Sequence, residues 1–202
     1  MDRAVITLDR AFATDSLFGW IFPDPVQRSQ SLRAMNRVLV QYGLRYGRVT
    51  ESNNGMAVAI WILPGRTITA IGMIRCGMVG TAFRIGLRRL AKFVCANEVM
   101  GQFRKKYAHE PHWRLLIIGV DPDLQGRGVG SALVKEGLAR ADDTNCPCYV
   151  ETNEKRNMAF YERLGFVVVG TAPLGKGAPP GWAMRREPRP SSQRTAHARM
   201  SP

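Results

Sequence analysis

The chain has 202 residues, enough for one domain with a sizeable core, and its 45% hydrophobic and 22% charged residues exclude a disordered polymer. Its net charge of +13 favours contact with phosphates, whether on a nucleic acid or on a nucleotide, without choosing between them. The opening Met1-Asp2-Arg3-Ala4-Val5 has no basic stretch leading into an apolar run, so no signal peptide is read and a cytoplasmic location is expected.

Taken in order, Val5, Leu8, Ala11 and Phe12 are spaced for one face of a helix. Pro23 and Pro25 interrupt the chain, and a second helix follows with Leu32, Met35, Leu39 and Tyr42 on its apolar side. Residues 48–51 and 56–63 read as strands joined by a hairpin turn at Asn53-Asn54-Gly55. Residues 67–107 read as helical. The part from Ile68 to Val94 is apolar but is interrupted by Arg75, Arg84, Arg88, Arg89 and Lys92, which argues against a membrane span. Residues 113–120 form a continuous apolar run between Pro111 and Asp121-Pro122, as a buried strand should. Residues 128–142 read as a helix, 148–152 as a second buried strand, and 154–164 as a helix closed by Gly165. Residues 166–170 and 182–186 alternate as strands. The order predicts an α/β domain with a mixed sheet over residues 1–188. Residues 189–202 read as a disordered basic tail.

Cys76, Cys95, Cys146 and Cys148 are expected as reduced thiols. Cys146-Pro147-Cys148 has one intervening residue and no second pair, so no metal site is expected.

The informative segment is Gln125-Gly126-Arg127-Gly128-Val129-Gly130, between a buried strand and a helix. Amides at a helix start are unpaired and favour anions. Glycines let a backbone approach a pyrophosphate closely, and Arg127 adds a charge that reaches phosphate. Neither the P-loop spacing nor the dinucleotide fingerprint is met.

This loop, preceded by Val120-Asp121-Pro122, resembles the pyrophosphate motif of the GNAT acetyltransferase superfamily. Residues 151–166, from Glu151-Thr152-Asn153 through Asn157-Met158-Ala159-Phe160-Tyr161 to Gly165-Phe166, resemble that superfamily's next block, in the same order and at the usual separation. Met56-Ala57-Val58-Ala59-Ile60-Trp61 and Pro111-His112-Trp113 resemble the narrower group that includes puromycin N-acetyltransferase. The resemblance implies the GNAT fold, a mixed central β-sheet flanked by helices. It also implies a strand before the first helix, whereas this chain opens in that helix: either the edge strand is missing or the coding start lies upstream. An uncovered hairpin edge invites self-association, so a homodimer is among the expectations.

The resemblance further implies acetyl-CoA as acetyl donor and an amine as acceptor; the apolar stretch 67–107, with Trp61 and Trp113 at its ends, suggests a small-molecule amine with an apolar body, and neither a metal nor a membrane partner is expected. The pantetheine would pair with backbone at Ile118, Gly119 and Val120. The pyrophosphate would lie on Gln125, Gly126, Arg127, Gly128, Val129 and Gly130, and the Asn157 amide would meet the pantetheine arm. Backbone N–H near residues 118–120 would hold the oxyanion. Tyr161, four residues after Asn157 on the same helix face, would act as the acid toward sulfur. Glu151 is the leading base, with His112 and Glu98 as alternatives. Competing readings are a non-catalytic acyl-CoA-binding protein and a basic nucleic-acid-binding module, the latter disfavoured by the lack of any recognition motif.

Overall fold

The computed structural model describes residues 1–52 and 54–189. Asn53 of the expected hairpin turn, and the expected tail from residue 190 onward, lie outside these. Six strands form one sheet: β1 (Arg48–Glu51), β2 (Ala57–Ile62), β3 (Trp113–Val120), β4 (Cys148–Thr152), β5 (Val167–Pro173) and β6 (Pro180–Arg186), in the order β1-β2-β3-β4-β6-β5. Only β3 and β4 run parallel; the other neighbours are antiparallel. This is the mixed α/β sheet that the sequence predicts.

Among the described residues eight α-helices cover the two faces of the sheet. On one side lie α1 (Asp2–Phe12), α2 (Ser16–Ile21), α3 (Pro25–Tyr46), α4 (Ala70–Arg75), α5 (Met78–Ile85) and α6 (Leu87–Tyr107). On the other lie α7 (Val129–Asp143) and α8 (Lys155–Arg163). The alternation of side chains along each strand sorts the core into these two layers. Ala57, Ala59, Trp61, Leu115, Cys148 and Val150 pack toward α7 and α8, whereas Val58 and Ile60 pack against α1 and α3. Tyr149 and Ala183 meet α6 through Phe103.

Three local readings are refined. The single helical stretch expected over residues 67–107 is three helices, because Gly77 and Gly86 take positive φ of 94° and 80° and break the ladder twice. β5 runs on to Pro173, and β6 starts at Pro180. Among the described residues no strand precedes β1, which stands at the sheet edge and pairs with β2 alone. Its Val49 leans on the α1–α3 cluster.

The strand pairing that matters most for function is irregular. Ile60 stands opposite Ile117 and Trp61 opposite Leu115, so Leu116 of β3 has no partner on β2. That is a β-bulge, which adds one residue and sharpens the local twist. Before the bulge, Trp113, Arg114 and Leu115 pair with Cys148, Tyr149 and Val150 of β4; after it, no residue of β3 pairs with β4. The two parallel strands therefore part at Leu116.

The centre of α7 lies hard against the sheet. A Cβ at Gly137 would come within 2.4 Å of Cε2 of the fully buried Trp61. Gly101, midway along α6, has only the Arg104 guanidinium near the same position, at 3.5 Å. Ala is the better helix former by roughly 1 kcal/mol. Thermal unfolding should separate the two sites: Gly101→Ala raises stability by about 0.5–1 kcal/mol, whereas Gly137→Ala lowers it by about 1–3 kcal/mol through overpacking. Equal effects at both positions would show that α7 has room to move off the indole.

Candidate functional site

A cavity of about 520 Å³ opens where β3 leaves β4. Its walls are the far half of β3, the loop into α7, the first turns of α8 and the end of α1. Ile118, Gly119, Val120, Gln125, Gly126, Gly128, Val129, Gly130, Asn157 and Tyr161 all line it. Of the cofactor residues expected from the sequence, only Arg127 is absent from this wall.

The loop has the backbone that the glycines permit. Gly126 and Gly128 have φ of 77° and 78°, and nothing lies within 4 Å of where a Cβ would stand on either. Gly128 is the N-cap of α7 and contributes no side-chain cap, so the first-turn amides are left to the cavity. The Gln125 side chain turns back, with Nε2 donating to the Val120 carbonyl at 3.0 Å. Its role here is to hold the loop to the end of the strand. Arg10 of α1 braces the same connection, with Nη1 at 2.8 Å from buried Asp121 and Nη2 at 3.0 Å from Asp123. A Cβ on Gly119 would strike Leu8 Cδ2 at 2.7 Å, so the missing side chain is what brings α1 against β3.

Tyr161 is 4% exposed and packs edge-on against Phe160 and Phe166. Burial holds its phenol above the usual tyrosine range, so it remains a protonated donor through neutral pH. Asn157 stands one turn earlier on the same wall.

Glu151 is placed differently from the sequence expectation, and this is a correction. It does not line the cavity. Its carboxylate is held between two guanidiniums, Arg104 Nη1 on Oε1 at 2.5 Å and Arg114 Nη2 on Oε2 at 2.7 Å. The reason is strand parity: Val150 faces α7, so Tyr149 and Glu151 face α6. His112 is also outside the cavity, its Nδ1 2.7 Å from the Glu110 carbonyl and its pKa lowered chiefly by burial. Glu98 lies exposed on α6 and is likewise not in the wall.

Asp15, which the sequence reading passed over, does line the cavity. It is 5% exposed and caps α2, accepting from Phe18 N at 3.0 Å. Asn153 Nδ2 donates to both of its oxygens, at 3.1 and 3.0 Å. Ser16 extends the join, its N donating to Glu154 Oε1 at 2.7 Å. The turn between α1 and α2 is thus fastened to the residues between β4 and α8. Desolvation is the main cause that raises the Asp15 pKa, and neighbouring Glu154 adds to it, against the lowering effect of the Asn153 and Phe18 hydrogen bonds. The sequence signal was an Asp followed three residues later by an apolar helix start, which reads as a cap and says nothing about a cavity.

Among the described residues no group of three or more His, Cys, Asp and Glu side chains comes together to hold a metal ion. The four cysteines are free, and burial is the main cause that pushes the Cys148 thiol up to about 12.

Residues 69–166 match the model of the Acetyltransferase (GNAT) family. A structure from Corynebacterium glutamicum, histone acetyltransferase HPA2 and related acetyltransferase, superposes with a TM-score of 0.61 at 25% identity, over 93% of this chain and 91% of that one. This is the GNAT acetyltransferase fold. Arylalkylamine N-acetyltransferase 2 from Aedes aegypti shares the GNAT architecture at a TM-score of 0.56 and 14% identity, over 93% and 94% of the two chains. The mycothiol acetyltransferase of Streptomyces coelicolor is 38% identical over 75 residues, which is 35% of this chain and 24% of that protein. The chain spans about a quarter of the length of such relatives. The family model and the structural neighbours agree on the GNAT fold, and the partial sequence relatives include mycothiol acetyltransferases of several organisms.

The Asp15 shift has a testable sign. A carboxyl with a raised folded pKa contributes fully below the unfolded value, here 3.8, and that contribution is lost as pH rises through the folded value. Carboxyl-detected NMR should place the Asp15 midpoint above 3.8. Its share of stability should fall across that window and stay flat above it. A midpoint at or below the ordinary value would mean that the carboxylate is better solvated than its burial implies.

Proposed function

We propose that the chain transfers an acetyl group from acetyl-CoA to the primary amine of a small molecule, by direct attack in a ternary complex. The observation that carries this reading is the cavity at the parting of β3 and β4. It is walled by the loop and helix residues that the GNAT motifs single out. The fit is physical: the α7 amides are uncapped by any side chain, two positive-φ glycines leave open space, and the far half of β3 has no partner on the β4 side.

Acetyl-CoA supplies an activated thioester carbonyl when bound. The amides of residues 126–130 would hold its pyrophosphate at the helix start, the Gln125 amide being bonded to the Pro122 carbonyl. The unpaired edge of β3 at Ile118, Gly119 and Val120 offers backbone donors and acceptors to the pantetheine, and an N–H to the oxyanion. Asn157 offers an amide that both donates and accepts. Tyr161, kept protonated by burial, donates toward the departing sulfur. For the base, Asp15 fits better than Glu151. It lines the cavity and its affinity for a proton is raised, whereas Glu151 is committed to Arg104 and Arg114. The acceptor is read as a small amine with an apolar body, because Phe12, Ile118 and Phe160 share the cavity wall with Asp15. The puromycin N-acetyltransferase-like group named from residues 56–61 and 111–113 remains a proposal of the same kind, and an acceptor screen that includes aminonucleosides addresses it.

Gly128→Asp puts a negative charge into the open space at the head of α7. Calorimetry should show acetyl-CoA affinity reduced by about tenfold or more, in keeping with charge repulsion at an anion site. The melting temperature should fall only by the strain of a non-glycine residue at positive φ. Unchanged affinity would remove the loop from the donor site.

Tyr161→Phe and Asp15→Asn should each slow transfer by about 10²-fold, the usual weight of a positioned acid or base. Donor affinity should be retained in both. Asn at position 15 still accepts from Phe18 N, so the cap survives. The rise of kcat/KM with pH should change in the Asp15 variant. A variant with a lower melting temperature and the parent pH profile would mark Asp15 as a cap alone.

A further inference from the structure

The segment between Glu51 and Glu98 contains six basic residues and no acidic one. Helices α4, α5 and the start of α6 lie within it, packed on one another in sequence order. They turn an unusual number of large apolar side chains outward. Phe83 is 83% exposed and Leu87 86%, with Ile71, Ile74 and Val79 also exposed. Val79 and Phe83 lie one turn apart on α5, and Leu87 opens α6 just beyond the break at Gly86. The inner face of α5 is separately filled by Thr81 and Ile85, so the outward residues are surplus to the core. A helix apolar on both faces calls for a second apolar partner.

Three of these exposed apolar residues are directly followed by a cation: Ile74 by Arg75, Phe83 by Arg84, Leu87 by Arg88. All three arginines are exposed, and among the described residues none of them has a carboxylate within ion-pair distance. By contrast Lys92 is drawn inward, donating to the Trp20 carbonyl at 2.7 Å. Behind the patch, Arg84 and Arg89 join Arg33 and Arg37 of α3 around a second cavity of about 800 Å³.

We propose that this face docks on an anionic phospholipid bilayer, with Phe83 and Leu87 entering the acyl boundary and Arg75, Arg84 and Arg88 at the phosphates. A bilayer surface accepts apolar tips and guanidiniums at different depths, which suits residues that alternate along the chain. A protein interface core is depleted of charge and would have to bury an arginine with each apolar contact. A second copy of this chain would bring like charges together on a face that has no acid to offset them. The docking is peripheral: among the described residues no helix is long and apolar enough to cross a membrane. It is compatible with the reading that the arginines argue against a span, and it departs from the expectation of no membrane partner.

The test is flotation of the 202-residue chain with vesicles of phosphatidylcholine alone, and of phosphatidylcholine containing roughly 30 mol% phosphatidylserine. The chain should float with the anionic vesicles only, and less so as salt is raised. Phe83→Ser with Leu87→Ser keeps the charge and should weaken binding about tenfold or more. Arg84→Glu with Arg88→Glu should abolish it. The mutated side chains are exposed, so melting temperatures should match the parent. No flotation on anionic vesicles overturns the proposal. So does an apolar pair of variants that floats like the parent, since binding would then be charge alone. Light scattering that finds a dimer, converted to monomer by the apolar pair, would assign the face to a second copy instead.

Discussion

The architecture of the site rests on one unpaired residue. Leu116 has no opposite number on β2, and from that point β3 no longer pairs with β4. In a parallel pair, the backbone groups of both strands are normally consumed by the ladder. Here the second half of β3 keeps its bonds to β2 while its other edge faces a cavity. The bulge also resets the side-chain parity. Trp113 and Leu115 point to the α7 layer before it, and Ile118 and Val120 do so after it. Without the reset, Gly119 would not lie under Leu8, and α1 could not approach the strand.

The cavity has a second wall that is not part of the sheet. The α1–α2 turn reaches across to the residues after β4 and is tied there by Asp15, Ser16, Asn153 and Glu154. The charged groups around Asp15 come from three elements. Glu154 precedes α8, Arg156 of α8 pairs with that carboxylate, and Arg28 of α3 donates to the Ala13 carbonyl. Asp15 is therefore both fastening and titratable. The proposed chemistry depends on that double character: a proton acceptor must be held still, and it must not be neutralised by a cation as Glu151 is.

The strands and helices of the second half were legible because their signals are local. The apolar run of β3, the glycine loop and Gly165 at the end of α8 each declare themselves within a few residues. The loop stands out in the sequence because a glycine turn sits between a buried strand and a helix, and Asn157 and Tyr161 because residues 151–166 resemble a GNAT block; all of these line the one cavity. Three things were not. The face of β4 on which Glu151 lies depends on strand parity, which alternation fixes only relative to neighbours. The breaks at Gly77 and Gly86 were hidden in a stretch that is apolar almost throughout. Asp15 is 138 residues from Asn153, and a contact of that separation leaves no mark on local sequence.

The bulge also says where the gene tolerates change. Loss of a single codon from β3 normally inverts every side chain beyond it. Loss of the codon for Leu116 would do something else: it would remove the register break and give β2 and β3 a regular ladder, while Ile117 through Val120 kept the faces they now hold. The sheet would gain order while the cleft lost the feature that opens it. The extra residue therefore gives up regularity in the β2–β3 ladder at the place where β3 and β4 part.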